Sequence, residues 1–148
     1  ADVLAPEFRN VMGDPGQHVI GNPAGLPGKP DTELSRSFSE AYQAEFDRPA
    51  NAVAMEGYDG VMVIAEAIKA AGATDGPALQ EALRQLRWNG TRGEIYFPQD
   101  KDPAWKFQQW PDVPIFVIQY TEANQTPSDS AILWPRAEAT TDELVIKP

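Results

Sequence analysis

Between residues 31 and 86 the apolar side chains recur every three or four positions, whereas after residue 93 they come in short runs of β-branched and aromatic residues. A chain that changes period in this way combines helices with strands, because the first spacing lines one stripe of a helix and the second suits a pleated strand. Asp31 or Thr32 is placed to cap a helix whose stripe is Leu34, Phe38, Tyr42 and Phe46. Arg48-Pro49 ends it, since the residue before a proline is pushed out of the helical region. Ala52 to Met55 then reads as a short apolar extended run, and a second helix begins near Glu56 with Tyr58, Val61, Met62, Ala65 and Ile68 facing inward and Gly72 as its C-cap. Tyr58 is expected to be mostly buried. Thr74-Asp75-Gly76-Pro77 restarts a third helix on the stripe Leu79, Leu83 and Leu86.

The strand-type runs are Gly93 to Phe97, Pro114 to Tyr120 and Ala131 to Pro135. Ahead of the helices, Phe8 to Met12 reads as a helical turn stopped by Gly13-Asp14-Pro15-Gly16, and His18-Val19-Ile20 as a short strand. That strand runs into the decapeptide Gly21 to Pro30, in which six residues are Gly or Pro, so a loop must follow.

Charge and cysteine content narrow the function. At 148 residues and a net charge of −10, the chain has an acidic surface that repels phosphate backbones and anionic lipid heads, which argues against nucleic acid and membrane-surface partners. Without cysteine there is no disulfide, thiolate nucleophile or ordinary structural zinc site, and the single His18 makes no multi-histidine metal centre, so no cofactor is expected. No apolar run approaches the roughly 18 residues of a membrane helix, so membrane insertion is not expected either. Ala1-Asp2-Val3-Leu4 lacks the pattern of a signal peptide, and any targeting segment is expected to have been removed or to lie upstream.

Catalytic motifs fare poorly. His18 sits in an apolar run with no Gly-x-Ser-x-Gly elbow beside it, so it reads as a strand-end residue. Gly28-Lys29 imitates a phosphate loop, but Pro23 and Pro30 stand where glycine and a hydroxyl residue belong. Glu56 and Asp59, three apart on one helix face, form a possible acid-base pair, although acidic residues in a first turn more often complement the helix dipole. Trp105, Phe107 and Trp110 are large enough to stack on a ligand, yet such side chains more often seal a core or a partner surface.

The series Phe38-Ser39-Glu40-Ala41-Tyr42, Pro49, Gly57-Tyr58-Asp59-Gly60-Val61, Ala65-Glu66-Ala67-Ile68-Lys69-Ala70-Ala71-Gly72, followed by Gly93-Glu94-Ile95-Tyr96-Phe97 and Ile132-Leu133-Trp134-Pro135, resembles the C-terminal part of type I periplasmic solute-binding proteins, the branched-chain amino-acid-binding group of ABC importers. The stretch Pro98-Gln99-Asp100-Lys101-Asp102 departs from the acidic residue, turn and Gly-Asp usual there. The resemblance implies an α/β fold of periplasmic-binding-protein type I, of which this chain is the C-terminal portion contributing to two flavodoxin-like lobes. It places residues 1–51 in the second lobe, 52–56 at a hinge crossing, 57–115 in the first lobe, and 116–148 at the last crossing and the C-terminal strands.

The resemblance also implies a non-enzymatic, periplasmic or membrane-tethered extracytoplasmic protein. Such a protein would close on an amino acid or related small carboxylate and work with an ABC transporter permease and the missing N-terminal portion of the same protein. Val53 aligns with an apolar pocket position five before the helix tyrosine, and its small size leaves room for a bulkier ligand than leucine. Met55 and Glu56 lie on the same run. Asn22, in the loop after a strand, is a further ligand-binding candidate. The competing readings are the same fold used as a ligand-sensing regulatory domain, and an acidic hydrolase built on Glu56 and Asp59.

Overall fold

A computed structural model describes residues 3–144; residues 1–2 and 145–148 lie outside it, and with them the last residues of the segment expected over 116–148. In chain order the elements are α1 (Pro6–Met12), β1 (Ile20–Gly21), α2 (Glu33–Phe46), α3 (Ala52–Ala71), α4 (Gly76–Gln85), β2 (Arg87–Gly90), β3 (Gly93–Tyr96), β4 (Val117–Gln119) and β5 (Ala131–Trp134). Each long helix starts on a side chain that accepts from an otherwise unpaired backbone N–H: Thr32 Oγ1 from Ser35, Asn51 Oδ1 from Ala54, and Asp75 Oδ1 from Ala78. Asp47 and Gly72 close α2 and α3 in left-handed conformation, at φ 50° and 61°.

The strands form two antiparallel units. β4 lies between β1 and β5, with Ile20 opposite Gln119, Gly21 opposite Ile118 and Val117 opposite Trp134. β2 and β3 make a hairpin whose last pair is Gly90–Gly93. Among the described residues every strand pair is antiparallel, so this chain supplies helices and connecting strands of an α/β fold but no parallel sheet of its own.

β1 is shorter than the sequence suggests. His18 holds a left-handed φ of 67°, so the extended chain begins two residues later. Behind the three-stranded sheet, Phe8, Leu26, Phe116, Ile118, Tyr120 and Ile132 form the apolar core, and the Tyr120 hydroxyl donates to the Val3 carbonyl at 2.9 Å.

Helix α3 departs most from expectation. Ala52 to Met55 is not an extended run but the first turn of the helix, because Asn51 caps it and the Met55 N–H donates to the Asn51 carbonyl. The stretch 52–56 is therefore helical and makes no strand crossing. The helix is also rotated: its buried residues are Met55, Asp59, Val63 and Ala67, while Val61 is 70% exposed. Tyr58 is half-buried, its ring 4.9 Å from that of Phe38 on α2. The opposite face carries Val53, Gly57, Gly60, Val61, Ile64 and Ile68, all exposed, with no charged side chain among them.

Candidate functional site

The chain passes twice through one narrow place. It leaves β1 toward the helices through Asn22 and Pro23, and returns into β4 through Ile115 and Phe116. There Phe116 N–H donates to the Pro23 carbonyl at 3.0 Å and Ala24 pairs with Ile115 in a lone antiparallel bridge. On the other side of this neck, His18 N–H donates to the Tyr120 carbonyl at 2.6 Å and Tyr120 N–H to the Val19 carbonyl at 3.1 Å. His18 thus serves the neck through its backbone, from a turn two residues ahead of β1 and not from the strand end expected of it.

Between the neck and the helices lies a buried polar cluster. The two-residue turn of the β2–β3 hairpin, Thr91-Arg92, would ordinarily be solvated, yet Thr91 is fully buried and Arg92 is 7% exposed. Both are drawn under α3 by Asp59, which is 1% exposed and accepts from Thr91 N–H at 2.8 Å, Thr91 Oγ1 at 2.9 Å and Arg92 Nε at 3.1 Å. Arg92 Nη1 continues to the Ala24 carbonyl at 3.0 Å and to Glu56 Oε1 at 3.2 Å, and the Trp110 ring covers the guanidinium at 5.1 Å. Trp110 is in turn fixed by Nε1 donating to the Glu94 carbonyl at 2.9 Å. A buried carboxylate with three donors and a buried guanidinium with two kinds of oxygen satisfy each other, which is what makes charge tolerable there.

This cluster disposes of the acid-base pair. Glu56 and Asp59 do sit together, but both are engaged by Arg92, and Asp59 has no surface on which to meet a substrate. Further along the hairpin, the Tyr96 phenol donates to Asp112 Oδ2 at 2.6 Å, and that bond, ahead of burial and the Asp112 charge, pushes its pKa up.

The four ligand-binding candidates fall in different settings. Asn22 is exposed directly after β1. Val53 is 63% exposed in the first turn of α3, and Glu56 is half-exposed on the same helix, turned toward Arg92. Met55 is fully buried and presents no surface to a ligand, because it heads the buried column of α3. Near them a small recess is bounded by Pro23, Leu26, Ala50, Asn51, Ala52 and Pro127, so the neck loop and the start of α3 share one wall. Wider, shallow recesses of about 510 Å³ lie elsewhere, one between α2 and the hairpin and one between α3 and α4. Arg92 escaped the sequence reading; its one signal was the pair of glycines at 90 and 93, which confines Thr91-Arg92 to a tight turn.

The chain is an α/β chain that enters and leaves its helical part through two adjacent antiparallel segments. Residues 11–109, well over half of the chain, match the periplasmic binding protein family, and the chain belongs to that family. Solved structures agree on the fold. A leucine binding protein from Thermotoga maritima superposes with a TM-score of 0.67 at 21% identity, over 86% of this chain and 33% of that one. A solute binding protein of an ABC transporter from Rhodopseudomonas palustris, in complex with benzoate, gives 0.63 at 16% identity over 93% and 35%. Another from the same species, in complex with 3,4-dihydroxy benzoic acid, gives 0.56 at 27% identity over 80% and 29%. The chain thus spans about a third of the length of the solved structures it matches. No curated protein matches it.

Proposed function

We propose that this chain forms the C-terminal third of an extracytoplasmic solute-binding protein that delivers a small carboxylate, an amino acid or an aromatic acid, to an ABC importer. The observation that carries the reading is the neck: β1 and β4 run side by side in opposite directions, so one body, residues 25–114, is joined to the rest by two adjacent strands about which it rotates. This moves the crossing from residues 52–56 to β1 and to β4, the latter within the expected segment 116–148. On this reading the ligand is held between the bodies, with Asn22, Val53 and Glu56 as the residues of this chain that meet it. Val53 bears a side chain small enough to leave space for an aromatic acid.

The remaining two-thirds of the fold is the principal partner, and a permease the next. Support for the first comes from the uncharged face of α3 and from the α2 stripe, which ends in Phe46 at 55% exposure; apolar surfaces of this extent are rare on finished monomers. Membership of the periplasmic binding protein family supports a periplasmic setting, and no helix among the described residues is long and apolar enough to cross a membrane. The test is thermal shift and calorimetry with L-leucine, benzoate and 3,4-dihydroxybenzoate on the longest polypeptide that carries this sequence. Saturable stabilisation by one of them is expected; stabilisation by none refutes the ligand class.

A further inference from the structure

Arg92 is not among the ligand-binding candidates, yet its side chain joins the neck to the helical body. Its Nε is spent on Asp59 of α3, while Nη1 reaches the carbonyl of Ala24, the residue whose bridge to Ile115 ends the β1–β4 pairing. The path of its stem is equally specified. Gly25 has φ +105°, and a Cβ there would stand 2.8 Å from Arg92 Cδ, so the glycine makes way for the arginine. From these contacts we infer that Arg92 is a positioning residue that clamps the inner end of the neck to α3. It thereby fixes the pivot of closure at Gly21 and Ile118 instead of letting the loop 22–30 absorb the rotation. It shapes ligand binding without touching the ligand.

The chemistry requires arginine. One planar guanidinium satisfies a carboxylate through Nε and a carbonyl through Nη1 at fixed angles, whereas a lysine ammonium is a single point on a flexible stem and cannot hold both partners in that geometry. Losing the clamp frees Ala24 and Ile115 but leaves the outer neck bonds at His18 and Tyr120 intact, because those bonds run between backbone groups that the Arg92 hydrogen bonds do not involve.

As a statement about closure the inference rests on the two-body reading above, so the experiment has two arms. In the first, amide hydrogen exchange is compared for the parent polypeptide, Arg92→Lys and Gly25→Ala, the second variant displacing the arginine stem without removing its charge. Exchange at Phe116 should quicken by about tenfold or more in both, with His18, Tyr120 and Gly72 unchanged. Uniform quickening, which marks lost global stability, or no change at Phe116 overturns the clamp; if Arg92→Lys does not fold, Gly25→Ala decides. In the second arm benzoate and L-leucine are titrated into the same proteins. Parent binding with weakened binding by both variants supports the pivot role, and parent binding that the variants leave unaltered refutes it. Binding of neither probe by the parent, together with loosened Phe116, removes the closure reading and leaves the clamp standing.

Discussion

Replacing Asp59 with alanine tests the physical account of the buried cluster most severely. Arg92 would remain charged with 8% of its side chain exposed, and Thr91 would lose the acceptor for both its N–H and its hydroxyl. Breaking a buried pair by removing one partner costs about 3–5 kcal/mol, and each stranded polar donor about 1–3 kcal/mol, terms that overlap because one carboxylate serves all three donors. A loss of about 4–5 kcal/mol is therefore expected, a large part of the roughly 5–15 kcal/mol of a typical domain. Glu56→Gln is the internal control. Its side chain is 47% exposed beside the same guanidinium, so its loss should stay within about 1 kcal/mol. Asp59→Leu combined with Arg92→Met removes both buried charges and leaves buried Thr91 without its acceptor; the Ala24 carbonyl and Glu56 also lose Arg92, but both reach solvent, so the loss should stay at about 1–3 kcal/mol. Urea unfolding at constant slope measures all three. If Asp59→Ala cost no more than Glu56→Gln, or the double variant cost as much as Asp59→Ala, the cluster would not be held by charge pairing.

Tyr58→Ala should cost about 1.5–3 kcal/mol, less than truncating a fully buried aromatic, because the ring is half-buried and its main contact is Phe38; calorimetric melting decides, and no loss would mean that α2 is not anchored there. Val61→Lys, on the exposed face of α3, should leave the melting of this chain within about 0.5 kcal/mol of the parent while, on the proposed reading, preventing association with a polypeptide supplying the remainder of the fold, as read by co-purification; association unimpaired would show that this face is not the docking surface. Asp112→Asn should lower the Tyr96 pKa in an ultraviolet phenolate titration. Because the folded-state value is raised, the stability Tyr96 contributes is present below the unfolded value of about 10 and is lost as pH climbs through the folded one; identical titrations would refute the bond. Val53→Phe should change which of benzoate and L-leucine the longer polypeptide prefers, while the melting of this chain alone should change little, since a side chain 63% exposed in it has no packed surroundings to crowd; unchanged preference would remove Val53 from the cleft.

The helices were legible because their ends carry their own chemistry. Thr32, Asp75 and Gly72 announce caps irrespective of tertiary context, and α2 and α4 begin, and α3 ends, where those residues stand. Asn51 is an equally good cap, but the apolar run behind it, Ala52-Val53-Ala54-Met55, reads as a strand when alanine, the best helix former, is counted only as apolar. β2 escaped for the opposite reason: Arg87-Trp88-Asn89-Gly90 has neither alternation nor β-branched residues, and it is extended because β3 and the buried turn hold it in register.

The rotation of α3 shows why the site was less legible than the fold. By hydrophobicity alone, the helix should bury Val61 and expose Asp59, since a lone carboxylate facing inward is costly. The cost is offset by residues more than thirty positions later, Thr91 and Arg92, and no local pattern encodes that pairing. Once Asp59 faces inward, Met55, Val63 and Ala67 follow it into the column, and Val53, Val61, Ile64 and Ile68 are turned outward as a consequence. The same ion pair that joins the hairpin to the helix therefore also decides which apolar face α3 turns outward. That face is free of charge and includes Gly57 and Gly60, where an added Cβ would meet nothing within 4 Å. An exposed apolar face of this kind is, on the proposed reading, where the rest of the fold would pack.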